Sequence, residues 1–90
     1  MRTAVKVRVR GLVHGVSFRM SLSQLANEEN VSGWVRNEAD GSVEALLEGS
    51  EESVSRLLEW ANHGPPGARV DSVQVSRTEL KHSNGFRILS

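Results

Sequence analysis

Ser32-Gly33-Trp34-Val35-Arg36-Asn37-Glu38-Ala39-Asp40-Gly41-Ser42-Val43-Glu44-Ala45-Leu46-Leu47-Glu48 lies at the middle of the chain and decides how the rest is arranged. Ser32 to Asn37 is rich in valine and tryptophan, which suit a pleated surface, and reads as a strand. Asp40-Gly41 is a strong hairpin turn signal. Ser42 to Glu48 resumes alternation, with Val43, Ala45 and Leu47 on one face. The stretch therefore reads as a β-hairpin with one apolar side.

On either side of the hairpin the period changes from two to that of a helix. Before it, Phe18, Leu22, Leu25 and Ala26 recur at helical spacing, and Asn30 ends the run. After it, Ser50 is placed to cap a second helix, with Glu51 and Glu52 in the first turn. Val54, Leu57, Leu58 and Ala61 form its apolar stripe, and Asn62-His63-Gly64-Pro65-Pro66-Gly67 stops it. Outermost come two more strands. Ala4 to Arg10 alternates valine with Lys6, Arg8 and Arg10, while Arg69 to Thr78 carries Val73 and Val75 on one face. Gly85 to Leu89 is a possible short terminal strand. The order β-α-β-β-α-β predicts an α+β, ferredoxin-like sandwich, a four-stranded antiparallel sheet with two helices on one face. The other face is expected to meet water. Such a fold hosts many functions.

Composition narrows the class. Ninety residues fit one domain, spanning 1–90, and a chain this short buries only about 60–65% of its unfolded surface. A cleft between two domains and a separate cofactor lobe are both excluded. The absence of cysteine removes disulfides, thiolate nucleophiles and cysteine-ligated metals. No apolar run nears the roughly 20 residues of a membrane span, and Met1 to Arg10 lacks the apolar core of a signal peptide. A cytoplasmic protein without membrane contact is expected. The 11 basic and 11 acidic residues cancel, which argues against general nucleic-acid binding. They are unevenly spread. Arg2, Lys6, Arg8, Arg10 and Arg19 crowd residues 1–19, whereas seven acids face Arg56 alone in residues 38–59. The basic end could draw in a small anion, or the two regions could simply neutralise each other.

The segment with most chemical content is Gly11-Leu12-Val13-His14-Gly15-Val16-Ser17-Phe18-Arg19, which joins a strand to a helix start. A helix start exposes unpaired N–H groups and partial positive charge, both suited to an anion. Gly15 lets backbone approach a ligand, successive N–H groups can form a concave nest, and Arg19 offers a planar fork for two phosphate oxygens. The plainer alternative is a tight connection followed by a solvated arginine. Asn37, at a strand end on the face of Val35, could orient a water through its neutral amide, or merely open the turn.

Gly15-Val16-Ser17-Phe18-Arg19, Gly33-Trp34-Val35-Arg36-Asn37, Asp40-Gly41-Ser42-Val43 and Gly64-Pro65-Pro66-Gly67-Ala68-Arg69-Val70 together resemble the acylphosphatase family over nearly the whole chain. The resemblance implies metal-free hydrolysis of acyl phosphates to a carboxylate and inorganic phosphate, with no cofactor. It assigns phosphate binding to Arg19 and to the backbone of His14, Gly15, Val16, Ser17 and Phe18. It assigns to Asn37 the positioning of the attacking water. Ser17 departs from the pattern, since the family usually has glycine there. Serine would be strained if that position needs a positive φ.

His14, His63 and His82 lack metal-ligand spacing, so no metal site is expected. Trp34 and Trp60 read as packing residues. An RNA-binding sheet is disfavoured because Ala4–Arg10 and Ser42–Glu48 contain no aromatic residue on which to stack a base. The remaining alternative is an acyl- or carbamoyl-phosphate-binding module with little turnover, since similar domains occur in hydrogenase-maturation carbamoyltransferases. The chain ends at Ser90 without a linker, which favours a free-standing enzyme. A monomer is the simpler expectation, and a shallow site on so small a domain is expected to give broad acyl specificity.

Overall fold

The computed structural model describes residues 1–90. Its elements are β1 (Arg2–Leu12), α1 (Phe18–Glu28), β2 (Ser32–Asn37), β3 (Val43–Ser50), α2 (Glu51–Ala61), β4 (Arg69–Arg77) and β5 (Phe86–Ile88). The central hairpin forms as read. Glu44 pairs with Arg36 and Val43 with Asn37, while the Asp40 carboxylate accepts from the Ser42 N–H and hydroxyl to close the turn.

Period-two alternation builds the core directly. Val5, Val7 and Val9 of β1 stand opposite Leu47, Ala45 and Val43 of β3, and Val35 of β2 extends the same face. Phe18, Leu22 and Ala26 of α1, with Val54, Leu57 and Ala61 of α2, cover that face, and all are buried. Phe18 also meets Trp60, their ring centroids 5.0 Å apart, which locks the two helices together.

The sheet differs from the expected one. It has five strands in the order β4-β1-β3-β2-β5, and β5 runs parallel to β2. A parallel neighbour cannot be reached by a hairpin. Residues 78–85 therefore cross the sheet from the β4 edge to the β2 edge. Thr78 donates to the Ala4 carbonyl at the start of the crossing, and Gly33 donates to the Gly85 carbonyl at its end. The far face consequently meets water only in part. Leu46 and Glu48 are buried on it, and Glu48 accepts from the N–H groups of Lys81, His82 and Ser83. Three residues of β5 were too few for their alternation to reveal which edge they would join.

β1 is also longer than its valine pattern suggested. It continues through Gly11 and Leu12 after a bulge at Arg10/Gly11. Gly11 has φ +136°, and a Cβ there would lie 2.1 Å from the Arg69 carbonyl oxygen, so only glycine permits the close approach. The connecting loop is thereby shortened to Val13–Ser17.

Candidate active site

Four elements end around one opening. The end of β1 leads into the Val13–Ser17 loop, α1 begins, β2 ends at Asn37, and β5 ends beside it. The opening is a cavity of about 450 Å³. One half of its lining is polar, from Gly15, Ser17, Arg19 and Asn37, and the other half is apolar, from Val13, Phe18, Met20 and Ile88.

The loop has the backbone of an anion nest. Gly15 (φ +72°) and Ser17 (φ +64°) are left-handed, and Val16 between them is not. Such alternation turns successive N–H groups to one side. None of the N–H groups from Gly15 to Arg19 has an acceptor within the chain. The two helix starts make the contrast plain. At α2, Ser50 accepts from the Ser53 N–H at 3.1 Å, and Glu51 and Glu52 occupy the first turn. At α1, Ser17 makes no side-chain cap and the first turn holds no acid. The donors and partial positive charge of α1 are left to the cavity.

Ser17 does need the positive φ that glycine would adopt freely. A left-handed L-residue costs about 1–2 kcal/mol, so the loop is held in this shape by its surroundings. One of those restraints is His14, whose Nε2 lies 2.8 Å from the Ser42 carbonyl oxygen and ties the loop to the start of β3. The His14 side chain does not line the cavity, and neither does Val16, which packs against the core. Sequence spacing gave no sign of the His14–Ser42 link, because the two residues lie 28 positions apart.

Asn37 sits on the helix side of the sheet, in register with Val43. Its Oδ1 is the one buried side-chain polar atom with no hydrogen-bond partner. Such an acceptor is rare in a folded protein and asks for a ligand or a water.

Charge is arranged with equal economy. Lys6, Arg8 and Arg36 surround Glu44 at 3.6, 3.0 and 2.9 Å, and Arg8 and Arg10 reach Asp40. Burial opposes the Glu44 charge, yet Arg36, Lys6 and Arg8 outweigh it and lower its pKa. Ser42, through hydroxyl and N–H, and then Arg10, hold Asp40 far below the usual carboxylate range. The hydrogen bonds that Arg36 donates to Glu38 and Glu44 raise its pKa. The basic strand and the acidic middle of the chain thus largely neutralise each other on the far face. Arg19 takes no part in this and forms no ion pair.

The acylphosphatase family profile matches residues 5–88. The chain belongs to the acylphosphatase family. An acylphosphatase of Pyrobaculum calidifontis is 52% identical over 83 residues, covering 90% of this chain and 76% of that protein. An acylphosphatase of Thermococcus kodakarensis is 46% identical over 88 residues, covering 98% and 97%. The structure of an acylphosphatase from Coxiella burnetii superposes with a TM-score of 0.94 at 36% identity, covering 98% of this chain and 93% of that one. Acylphosphatases hydrolyse acyl phosphates, and this chain is a hydrolase of that class, with a small-molecule acyl phosphate as substrate. The ferredoxin-like arrangement of two helices on a sheet is likewise the family fold. No helix is long and apolar enough to cross a membrane.

Proposed function

We propose that this acylphosphatase works without a metal, holding the phosphate with Arg19 and the loop N–H groups while Asn37 positions the attacking water. The observation that carries this reading is the buried, unpartnered Oδ1 of Asn37, a residue that lines the same cavity as Arg19, Gly15 and Ser17. An accepting oxygen takes a hydrogen bond from one O–H of a water and turns the water's lone pair toward phosphorus. The Asn37 amide can at the same time donate to a phosphate oxygen.

The chemistry asks little more. The water oxygen bonds to phosphorus as the bond from phosphorus to the acyl oxygen breaks. That bond's electron pair leaves with the carboxylate. A carboxylic acid has a pKa of about 4, so the leaving group needs no general acid. No Asp, Glu or His lines the cavity, so a phosphate oxygen of the substrate accepts the water's proton. The products are a carboxylate and dihydrogen phosphate. Charge on the equatorial oxygens is met by the Arg19 fork and the loop donors, and positioning supplies most of the rest.

The test is hydrolysis of benzoyl phosphate in excess EDTA. Asn37→Ala should lower kcat by about 10²–10³ with little change in phosphate affinity. Arg19→Ala should lower turnover on the order of 10³ and weaken phosphate binding as well. Wild-type turnover in Asn37→Ala would remove Asn37 from the mechanism. A wild-type protein that binds phosphate but turns nothing over would instead be a binding module. The same reading takes residues 1–90 as one domain acting as a cytoplasmic monomer, which light scattering on the purified protein would check for mass.

A further inference from the structure

Phosphate and water use only one half of the cavity. A water fills about 30 Å³, so a phosphate and one water leave most of the roughly 450 Å³ free. The free part is apolar. Val13 and Phe18 are buried at its floor, while Met20 of α1 and Ile88 of β5 are 60% and 43% exposed at its mouth. Single exposed apolar residues are ordinary. Two large ones from different elements, converging beside a phosphate cradle, form a surface that a bound molecule would cover. Arg19 is the only cation in the lining.

We propose that Met20 and Ile88 form the acyl subsite and select acyl phosphates whose acyl group is uncharged, apolar and large enough to reach them. This rests on the assignment of the phosphate to Arg19 and the loop. An aromatic or branched acyl group attached to that phosphate lies over Met20 and Ile88 and removes their surface from water. An acetyl group is too short to cover either. An acyl group ending in a second carboxylate carries a charge onto apolar surface, and the one lining cation is already paired with phosphate.

The experiment compares kcat/KM for benzoyl, acetyl and succinyl phosphate in the wild type, Met20→Ser, Ile88→Thr and a control, Leu80→Ala. Leu80 is 40% exposed but lies outside the cavity. The wild type is expected to prefer benzoyl phosphate over both others. Met20→Ser and Ile88→Thr each lower the benzoyl-to-acetyl ratio about 3–10-fold, and Leu80→Ala leaves it unchanged. A ratio untouched by both subsite changes, or a preference for succinyl phosphate, overturns the proposal. Binding of the uncleavable benzoyl- and acetylphosphonates, measured by calorimetry, gives the same ratio without chemistry. If turnover survives Arg19→Ala while the binding ratio still follows Met20 and Ile88, the phosphate assignment has failed and the subsite stands.

Discussion

At opposite ends of the sheet, two loops gather backbone N–H groups around a left-handed residue. Near the end of β3, the turn containing His82 (φ +54°) directs the N–H groups of Lys81, His82 and Ser83 onto the Glu48 carboxylate at 3.2, 2.9 and 3.3 Å. At the other end, Gly15 and Ser17 shape a loop whose N–H groups from Gly15 to Arg19 meet no acceptor in the chain. The first nest is filled by the protein's own anion and the second is open. Burial works against the Glu48 charge, but the three N–H donors outweigh it and lower its pKa. Backbone amides, helped by the more distant charge of Arg2, therefore hold a buried carboxylate charged. The open nest has the same kind of donors, and Arg19 besides. What separates structure from site is whether the sequence supplies the anion.

The largest effect that would break this comparison is at the filled end. Glu48→Ala leaves three N–H donors without their acceptor and should cost about 3 kcal/mol in urea unfolding, with turnover of the folded protein unchanged. A loss near zero would mean the 81–83 contacts hold nothing. The pH dependence has a definite sign. The folded pKa of Glu48 lies below its unfolded value of about 4.3, so its stabilisation is complete above that pH and disappears as pH falls through the folded value. Glu48→Gln should lose that part of the acid sensitivity, seen as a flatter urea midpoint as pH falls below about 4.3.

The open end should respond to an added anion nearly as strongly. Inorganic phosphate at 100 times its Kd should raise stability by about 2.7 kcal/mol. Hydrogen exchange should slow at residues 15–19 and not at 81–83, and Arg19→Ala should abolish the gain. Relieving the left-handed strain is a smaller effect. Ser17→Gly should add about 0.5–1 kcal/mol, seen as a raised Tm. If phosphate affinity falls at the same time, the Ser17 hydroxyl is a ligand donor. Smallest is the tie between loop and sheet. His14→Ala should raise KM roughly threefold with kcat nearly kept, and His14→Gln, which can still donate to the Ser42 carbonyl, should restore it.

Elements with several turns of a clear period were legible. Val5, Val7 and Val9, the Asp40-Gly41 hairpin, the helical stripes and the Ser50 cap each follow from neighbours within a few residues. Arg19 and Asn37 could be singled out by position, one at a helix start and one at a strand end. That they line one cavity depends on β1, β2 and α1 meeting, and the register between β2 and β3 decides it. Ser17 posed a question that only backbone geometry answered. The roles of Glu48, His14, Met20 and Ile88 could not be read, because each depends on a partner far along the chain or on an element of three residues.

By itself, the sequence determined the order of elements, the core face of each strand and the chemical nature of the site loop, since these arise from local periodicity and turn chemistry. The tertiary structure decided that β5 joins parallel to β2, that Glu48 is enclosed and that Asn37 keeps a buried oxygen without a hydrogen-bond partner. Those outcomes require distant segments to compete for the same edges and the same hydrogen-bond donors, and that competition is settled only when the chain packs.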